Sequence, residues 1–180
     1  LALADADIQG LRLRVGPGSA AVLTGSSAGA LRALALTIAG RVTPEGGRLR
    51  VAGHLLPGRA AWVRAHVGAV VVADAGSFSA DISEALRGTP ALVVIDGVDR
   101  LSRSERDQLV ARLRDATAVT AVLMTARSPE SALDVLADAG RATADVIDVD
   151  APAAAAVPSR PISSAPQGSD EPSESTEVKA

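Results

Sequence analysis

The chain has 180 residues, a formal net charge of -3 at pH 7 and no cysteine. The absence of cysteine excludes disulfides and thiolate-based catalytic or metal sites, and the small negative charge gives no general attraction for nucleic acid or anionic membranes. Lysine occurs only at Lys179, which excludes a lysine-dependent reaction from the folded part. Hydrophobic residues make up 47% of the chain and aromatic residues only 1%, so the sequence predicts a core of Ala, Val, Leu and Ile.

The first predicted elements are strands and one helix. The stretch "LRLRV" (11–15) alternates with a period of two, as expected of a half-buried strand, and "AAVLTG" (20–25) predicts a buried strand. A helix is predicted over about 29–39. After the turn "TPEGG", "GRLRVAGHLL" (47–56) again alternates and is interpreted as an exposed strand. The front end of the domain is therefore expected to carry an antiparallel ribbon.

The remaining elements alternate between apolar strands and amphipathic helices. The strands are predicted at 67–73, 91–96, 118–126 and 144–149, and the helices at 104–116 and 129–140. Ser102 and Ser104 are both candidates for the N-cap of the helix at 104–116. Repeated strand–helix–strand units predict an α/β fold with a mostly parallel sheet and helices on both faces.

The chain divides by composition into residues 1–150 and residues 151–180. The second part is rich in Pro, Ser, Ala and Glu and lacks periodicity, so it is predicted to be a disordered tail. No run of 18 apolar residues without charge occurs, so no membrane-spanning helix is predicted, and the start does not resemble a signal peptide. The lack of disulfides fits a cytoplasmic protein. Because the chain opens at Leu1 instead of Met, we expect a fragment or an unusual start codon.

The stretch "LTGSSAGALRALALTIAG" (23–40) has the layout of a phosphate-binding loop between a strand and a helix. In such loops backbone N–H groups bind phosphate oxygens, a lysine adds charge and a Ser/Thr hydroxyl holds magnesium. The pattern G-x-x-x-x-G-K-[ST], aligned on Gly25, places Ala30 at the second glycine, Leu31 at the lysine and Arg32 at the hydroxyl. By this pattern alone, the stretch is not a P-loop but a strand–turn–helix junction, which any α/β protein has.

The stretch "ALVVIDGVDRLS" carries an acid at the end of a buried strand, where a magnesium-binding carboxylate lies in many ATPases. Asp96 is this candidate, and the alternative interpretation is a simple turn residue. A hydrolytic enzyme needs a further carboxylate to orient water, but Gly97 follows, and Asp99 lies beyond the turn. In "VLMTARSPES", Arg127 either contacts an anion or is solvated.

The sequence gives little support for a metal site or for serine-hydrolase chemistry. His54 and His66 have different surroundings, so no metal site is predicted, and no G-x-S-x-G nucleophile motif occurs. Trp62 is expected to anchor a short helix or to cover the sheet.

The order of these segments resembles the opening of an ATP-binding cassette nucleotide-binding domain, as found in ABC transporters. The resemblance rests on the turn 16–18, Gly25, the helix ending at 39–40, the turn 44–47 and the strand end 51–53, which follow without gaps. It extends through "VRAHVGAVVV", "ALVVIDGVD" and "TAVLMTARSPESAL", and covers most of residues 1–150. It implies a P-loop NTPase-like domain over residues 1–150.

The resemblance implies a degenerate site. The candidate phosphate-loop and carboxylate positions are Gly25, Ser26, Ser27, Gly29, Ala30, Leu31, Arg32 and Asp96. The family's glutamine falls near Val72, its catalytic glutamate at Gly97 and its switch histidine at Ala126. Between 74 and 90, the family has a helical subdomain and an "LSGGQ" signature, which are missing here, so that subdomain is interpreted as deleted.

The resulting functional hypothesis is a pseudo-ATPase, a non-hydrolysing domain kept as an interaction subunit. No catalytic residue, metal or firm cofactor is assigned, and weak ATP binding is the most that is expected. By analogy, the suggested partner is an integral membrane protein or transporter permease of an export system. That partner would hold the chain at the inner face of the membrane without membrane insertion, and nucleic acid is not expected. Two alternatives remain open: a divergent cassette ATPase that still binds ATP and serves a transporter, and a truncated remnant without independent function.

Overall fold

The computed structural model describes residues 2–3, 6–7, 13, 15–72, 78–116, 118–141 and 143–151. The strands are β1 (Ala2–Leu3), β2 (Ala6–Asp7), β3 (Ala20–Thr24), β4 (Leu49–Val51), β5 (His54–Leu56), β6 (Val67–Val71), β7 (Leu92–Asp96), β8 (Ala121–Ala126) and β9 (Ala144–Asp148). The helices are α1 (Ala28–Ile38), α2 (Ala60–His66), α3 (Phe78–Ala85), α4 (Arg103–Asp115) and α5 (Glu130–Asp138), and a short 3-10 helix covers Val98–Arg100.

The central sheet has five parallel strands in the order β6-β7-β8-β3-β9. Every residue of β3, β7 and β8 is buried. These inner strands read as continuous apolar runs because a parallel sheet is covered on both faces. The predicted α/β class with a parallel sheet is confirmed.

The helices pack on both faces of this sheet, as predicted. On one face, α3, α4 and α5 bury side chains against Val22, Ile95 and Met124. On the other face, α1, α2 and the β4–β5 pair bury side chains against Leu23 and Val94. Val22 and Leu23 are adjacent in sequence but belong to opposite cores, because successive side chains of a strand point to opposite faces.

Eight predicted elements are present within about three residues of their expected ends: the strands at 20–25, 67–73, 91–96, 118–126 and 144–149 and the helices at 29–39, 104–116 and 129–140. The cap of α4 is Ser102, whose hydroxyl accepts from the N–H of Glu105 while the Glu105 carboxylate accepts from the N–H of Ser102. This reciprocal capping box decides between the two candidate serines. Trp62 lies in a short helix, α2, one of the two placements predicted for it.

The prediction of one strand over 47–56 is wrong. The residues form the antiparallel pair β4–β5, which turns at Ala52 and Gly53. Both turn residues have positive φ, 47° and 81°, as a two-residue hairpin requires. The strict alternation of apolar and polar residues stops at Val51, and the Ala52-Gly53 dipeptide that follows was the local signal of a turn. The predicted antiparallel ribbon is present as this pair.

Some predictions fall on residues outside the described part of the chain. Of the strand predicted at 11–15, only Leu13 and Val15 are described, and neither is assigned to a strand. Of the tail predicted at 151–180, only Ala151 is described. Within 74–90, the described residues 78–90 hold the single helix α3. None of the described helices is long and apolar enough to cross a membrane.

Candidate functional site

The candidate site lies at the carboxyl ends of β3, β7 and β8. From β3 the chain passes through α1, which contacts β7 and β8, and continues to β6 at the far edge of the sheet. From the neighbouring strand β8, it passes through α5 on the opposite face to β9. The adjacent strands β3 and β8 therefore send their connections to opposite faces of the sheet. In open α/β sheets, ligands bind in the crevice that such a topological switch point creates.

Asp96 is the last residue of β7 and is only 3% exposed. Its Oδ1 atom accepts a hydrogen bond of 2.7 Å from the Thr125 hydroxyl. Its Oδ2 atom accepts from Arg32 Nε at 3.0 Å and from Arg100 Nη2 at 3.3 Å. Both oxygens of this buried carboxylate are thus satisfied by protein donors, and two guanidinium groups compensate its charge.

Thr125 is itself held in position. Besides donating to Asp96, its hydroxyl accepts from the N–H of Gly97 at 3.0 Å. Gly97 has a φ of 81°, a conformation that L side chains rarely adopt. A Cβ there would lie 2.0 Å from Nη2 of Arg100, so any larger residue would require Arg100 to move. The resemblance assigns a catalytic glutamate to this position, but the glycine found there leaves room for the Arg100–Asp96 contact.

Leu31 and Arg32, adjacent in the first part of α1, point to different surroundings. Leu31 is 2% exposed and packs in the core with Leu34 and Ala35. The Arg32 side chain is 42% exposed and reaches across to Asp96. The position that the resemblance assigns to a phosphate-binding lysine is thus part of the hydrophobic core, and the position that it assigns to the hydroxyl supplies a cation to the carboxylate.

The loop that joins β3 to α1 is short, because α1 already begins at Ala28. Gly25 is buried, and a Cβ on it would lie 2.7 Å from a methyl group of Val149. The N–H of Ser26 donates to the carboxylate of Asp150. These contacts tie the loop to the chain that follows β9.

Ser27 is the N-cap of α1. Its hydroxyl accepts from the N–H of Ala30 at 3.2 Å, and its carbonyl accepts from the N–H of Leu31 at 3.0 Å. Gly29 is exposed in the first turn, and Ala30 is half-buried. The helix start thus uses the amides of Ala30 and Leu31 internally, which leaves fewer N–H groups for an external anion than an open phosphate loop presents.

The Asp150 carboxylate occupies the loop as an internal anion. Hydrogen bonds from the backbone N–H and then the side chain of Ser26 lower the pKa of Asp150 below its usual value. The N–H of Asp150 in turn donates to Asp148 Oδ1 at 2.9 Å, which closes a local turn. One amide of the candidate phosphate loop is therefore already bonded to a carboxylate oxygen.

A small pocket of about 230 Å³ remains beside these groups. It is lined by Ala28, Leu31, Asp96, Gly97, Asp99, Arg100, Thr125, Ala126 and Arg127. Asp99 and Arg127 form a further ion pair across it, with Oδ2 and Nε 3.0 Å apart. Pockets for drug-sized ligands and cofactors generally measure about 300–1,000 Å³. The volume of this pocket lies below that range.

The structure brings together two of the site residues chosen from the sequence, Arg32 and Asp96. It also places Gly25, Ser26 and Ser27 in the connecting loop and Gly29 and Ala30 in the first turn of α1, but Leu31 contributes mainly to the core. Val72 and Ala126, at the positions of the family's glutamine and histidine, are both buried.

Sequence reasoning missed the parts played by Arg100, Thr125 and Asp150. The only local signal for any of these three roles was the four-residue spacing of Asp96 and Arg100. Thr125 and Asp150 reach the site through strand pairing, which motif spacing does not show.

Among the described residues, no cluster of three or more His, Cys, Asp or Glu side chains could hold a metal ion. Neither the protein-family models nor the curated proteins give a match to this chain.

Proposed function

We propose that the chain is a degenerate, shortened ATP-binding-cassette-like domain that works as a non-hydrolysing interaction subunit. The observation that carries the proposal is the contact between Arg32 and Asp96. In a P-loop site the Ser/Thr hydroxyl and the acid at the strand end share a magnesium ion. Here an arginine stands at the hydroxyl position, and its Nε lies 3.0 Å from Asp96 Oδ2. A protein cation thus compensates the carboxylate that would otherwise bind the metal.

Three further observations support this proposal. The carboxylate and the loop lie at the same edge of the sheet, on strands separated by β8 alone. Leu31 is buried where a lysine would face phosphate. The Ser26 amide bonds to Asp150. At the phosphate-loop positions, a backbone donor and the acid are thus satisfied within the chain, which supports a non-hydrolysing role.

The test is a titration with Mg²⁺ and a fluorescent ATP analogue, followed by anisotropy, together with a phosphate-release assay. We expect no saturable binding at micromolar nucleotide and no hydrolysis above background. Micromolar, magnesium-dependent binding that is lost in Asp96→Asn would contradict the proposal and favour the divergent ATPase.

A matched pair of variants tests the role of Arg32. Arg32→Ser restores the hydroxyl and removes one cation from Asp96, so it is expected to bind Mg²⁺-ATP more tightly than the natural chain. Arg32→Lys keeps a cation at this position and is expected to give no gain. An equal response of the two variants would show that Arg32 does not replace the metal.

The proposed partner is an integral membrane protein, such as a transporter permease, at the inner face of the membrane. This part of the proposal rests on the resemblance to ABC domains alone. Affinity purification from solubilised membranes tests it, and the absence of any enriched integral membrane protein would contradict it. A cooperative unfolding transition of the purified chain would separate this proposal from that of a remnant without function.

A further inference from the structure

The strand β6 forms one edge of the five-stranded sheet. The N–H of Val72, just after β6, donates to the carbonyl of Asp96 in β7 at 3.0 Å. In a parallel ladder, alternate residues bond to the same neighbour, so Gly68 and Val70 also face β7. Ala69 and Val71 therefore direct their N–H and C=O groups away from the sheet. Among the described residues, no hydrogen-bond partner meets these outward groups.

A groove of about 580 Å³ runs along this edge and includes every residue of β6. One wall comes from the end of α2 and the residues after α1, and carries Arg64, His66 and Arg41. The other wall comes from α3 and the turn after it. An edge strand of five residues spans about 17 Å, enough to pair with an extended peptide segment of similar length.

The two walls differ in charge. Arg87 and Glu84 on the α3 side pair with each other at 2.7 Å. Arg41 and Arg64 on the opposite side are exposed, and no carboxylate of the described chain lies within salt-bridge distance of them. The Arg64 guanidinium donates to the neutral carbonyl of Gly40 at 3.1 Å, a bond that brings no negative charge to it. Asp81 also lines the α3 side, so the positive charge of the groove is concentrated on the wall that carries Arg41 and Arg64.

We propose that this groove binds an extended acidic peptide segment of a partner protein, which adds to the sheet as a strand beside β6. Strand addition supplies backbone hydrogen bonds to Ala69 and Val71, and acidic side chains pair with Arg41 and Arg64. A second copy of the chain fits less well, because a two-fold interface would bring the same arginine-bearing wall from both copies to one seam. This inference does not depend on the nucleotide site.

The probe is a fluorescein-labelled heptapeptide of alternating glutamate and valine, measured by anisotropy against the full chain. A version with lysine for glutamate tests charge, and a version with proline at alternate positions tests backbone pairing. We expect binding of the glutamate peptide alone, weakened as salt increases. Equal binding of all three peptides, or no binding of the glutamate peptide, would overturn the proposal.

Ala69→Pro tests the strand edge. The N–H of Ala69 is outside the ladder to β7, so proline removes a donor for the peptide without breaking a bond of the sheet. The expected effect is a loss of affinity of about tenfold or more. Ala69→Ser, which keeps the N–H, is the matched control and is expected to bind like the natural chain. Equal affinities of the two variants would contradict strand addition.

Hydrogen exchange keeps the proposal testable if Ala69→Pro fails to fold. In the natural chain, the glutamate peptide is expected to slow amide exchange at Ala69 and Val71, while Gly68 and Val70 change little because they already bond to β7. Protection elsewhere, with none at Ala69 and Val71, would contradict the proposal.

Charge reversal tests the arginine wall. Arg41→Glu combined with Arg64→Glu is expected to weaken binding of the glutamate peptide about tenfold. The control is Arg112→Glu, an exposed position on α4 outside the groove, which is expected to leave affinity nearly unchanged.

Light scattering of the unliganded chain tests whether a second copy occupies the edge. A dimer that Ala69→Pro dissociates would assign the edge to a second copy and overturn the peptide proposal.

Discussion

Replacing Asp96 by asparagine removes the charge of the site without changing the shape of the side chain. In one orientation the new NH₂ group takes the place of Oδ2 and faces the donors of Arg32 and Arg100. In the other it faces the Thr125 hydroxyl, which already accepts from Gly97. One orientation turns the NH₂ group toward the guanidinium donors, and the other keeps only a neutral oxygen there, so neither retains an ion pair with Arg32 or Arg100. We therefore expect the variant to fold with a lower free energy of unfolding.

The magnitude follows from the exposure of the two arginines. A hydrogen bond to a charged group contributes about 1.5–3 kcal/mol. The side chains of Arg32 and Arg100 are 42% and 29% exposed, so water partly solvates them once the carboxylate is lost, and the lower end applies. Two such bonds give an expected destabilisation of about 3 kcal/mol.

Urea unfolding, followed by far-UV circular dichroism and by Trp62 fluorescence, measures this difference. Urea is preferred because guanidinium chloride screens ion pairs. Trp62 is the only tryptophan of the chain, and coincidence of the two signals tests two-state behaviour. A destabilisation below about 1 kcal/mol would refute the argument that the buried carboxylate depends on both guanidinium groups.

Asp99→Asn is the matched control for this experiment. It makes the same chemical change three residues later, in an ion pair whose arginine, Arg127, is 67% exposed. Exposed pairs contribute about 0–1 kcal/mol, so a loss within that range is expected. Asp99 is 15% exposed, so a loss as large as that of Asp96→Asn would show that the exposure of the arginine partners does not distinguish the two carboxylates.

Three other predictions concern stability. Gly68→Ala would place a Cβ 2.0 Å from the backbone oxygen of Ala85, so we expect a loss of about 3 kcal/mol or more in urea unfolding; a change below about 1 kcal/mol would contradict this. Ser102→Ala removes the cap of α4 and is expected to cost about 1 kcal/mol by the same assay, with an unchanged midpoint as the opposing result. The pKa of Asp150 is lowered in the fold by Ser26, so its contribution is complete above the unfolded pKa and is lost as pH falls through the lower folded pKa. Asp150→Asn should thus lower the thermal midpoint at pH 7 but not at pH 2, and an equal loss at both would refute this.

In the proposed pseudo-ATPase, residues at the positions of the nucleotide site bond to one another in place of a ligand. In a phosphate loop, the N–H groups and the acid are left unsatisfied by the protein so that phosphate and magnesium can bind. Here Asp150 bonds to the Ser26 amide, and Arg32 and Arg100 bond to Asp96. A ligand would have to displace these internal partners first, which lowers its apparent affinity.

Local sequence patterns were sufficient to predict most of the strands and helices. The apolar run at 91–96 and the capped helix at 104–116 were predicted because strand and helix periodicity and capping act within a few residues. The pairing of Arg32 with Asp96 lies across a gap of 64 residues and was not derivable from spacing. It depends on the packing of α1 against β7 and β8, which brings its first turn to the end of β7.

The remaining features depended on contacts between distant segments. The parallel order β6-β7-β8-β3-β9 left β6 at an edge and carried Asp150 to the loop after β3, although nothing near Asp150 in the sequence marks it as a loop ligand. Whether a segment forms a strand is a local property, because it follows from the apolar residues within a short stretch of the sequence. The neighbour of each strand is a global one, because it follows from how the helices cover both faces, and both candidate binding surfaces arise from that choice of neighbours.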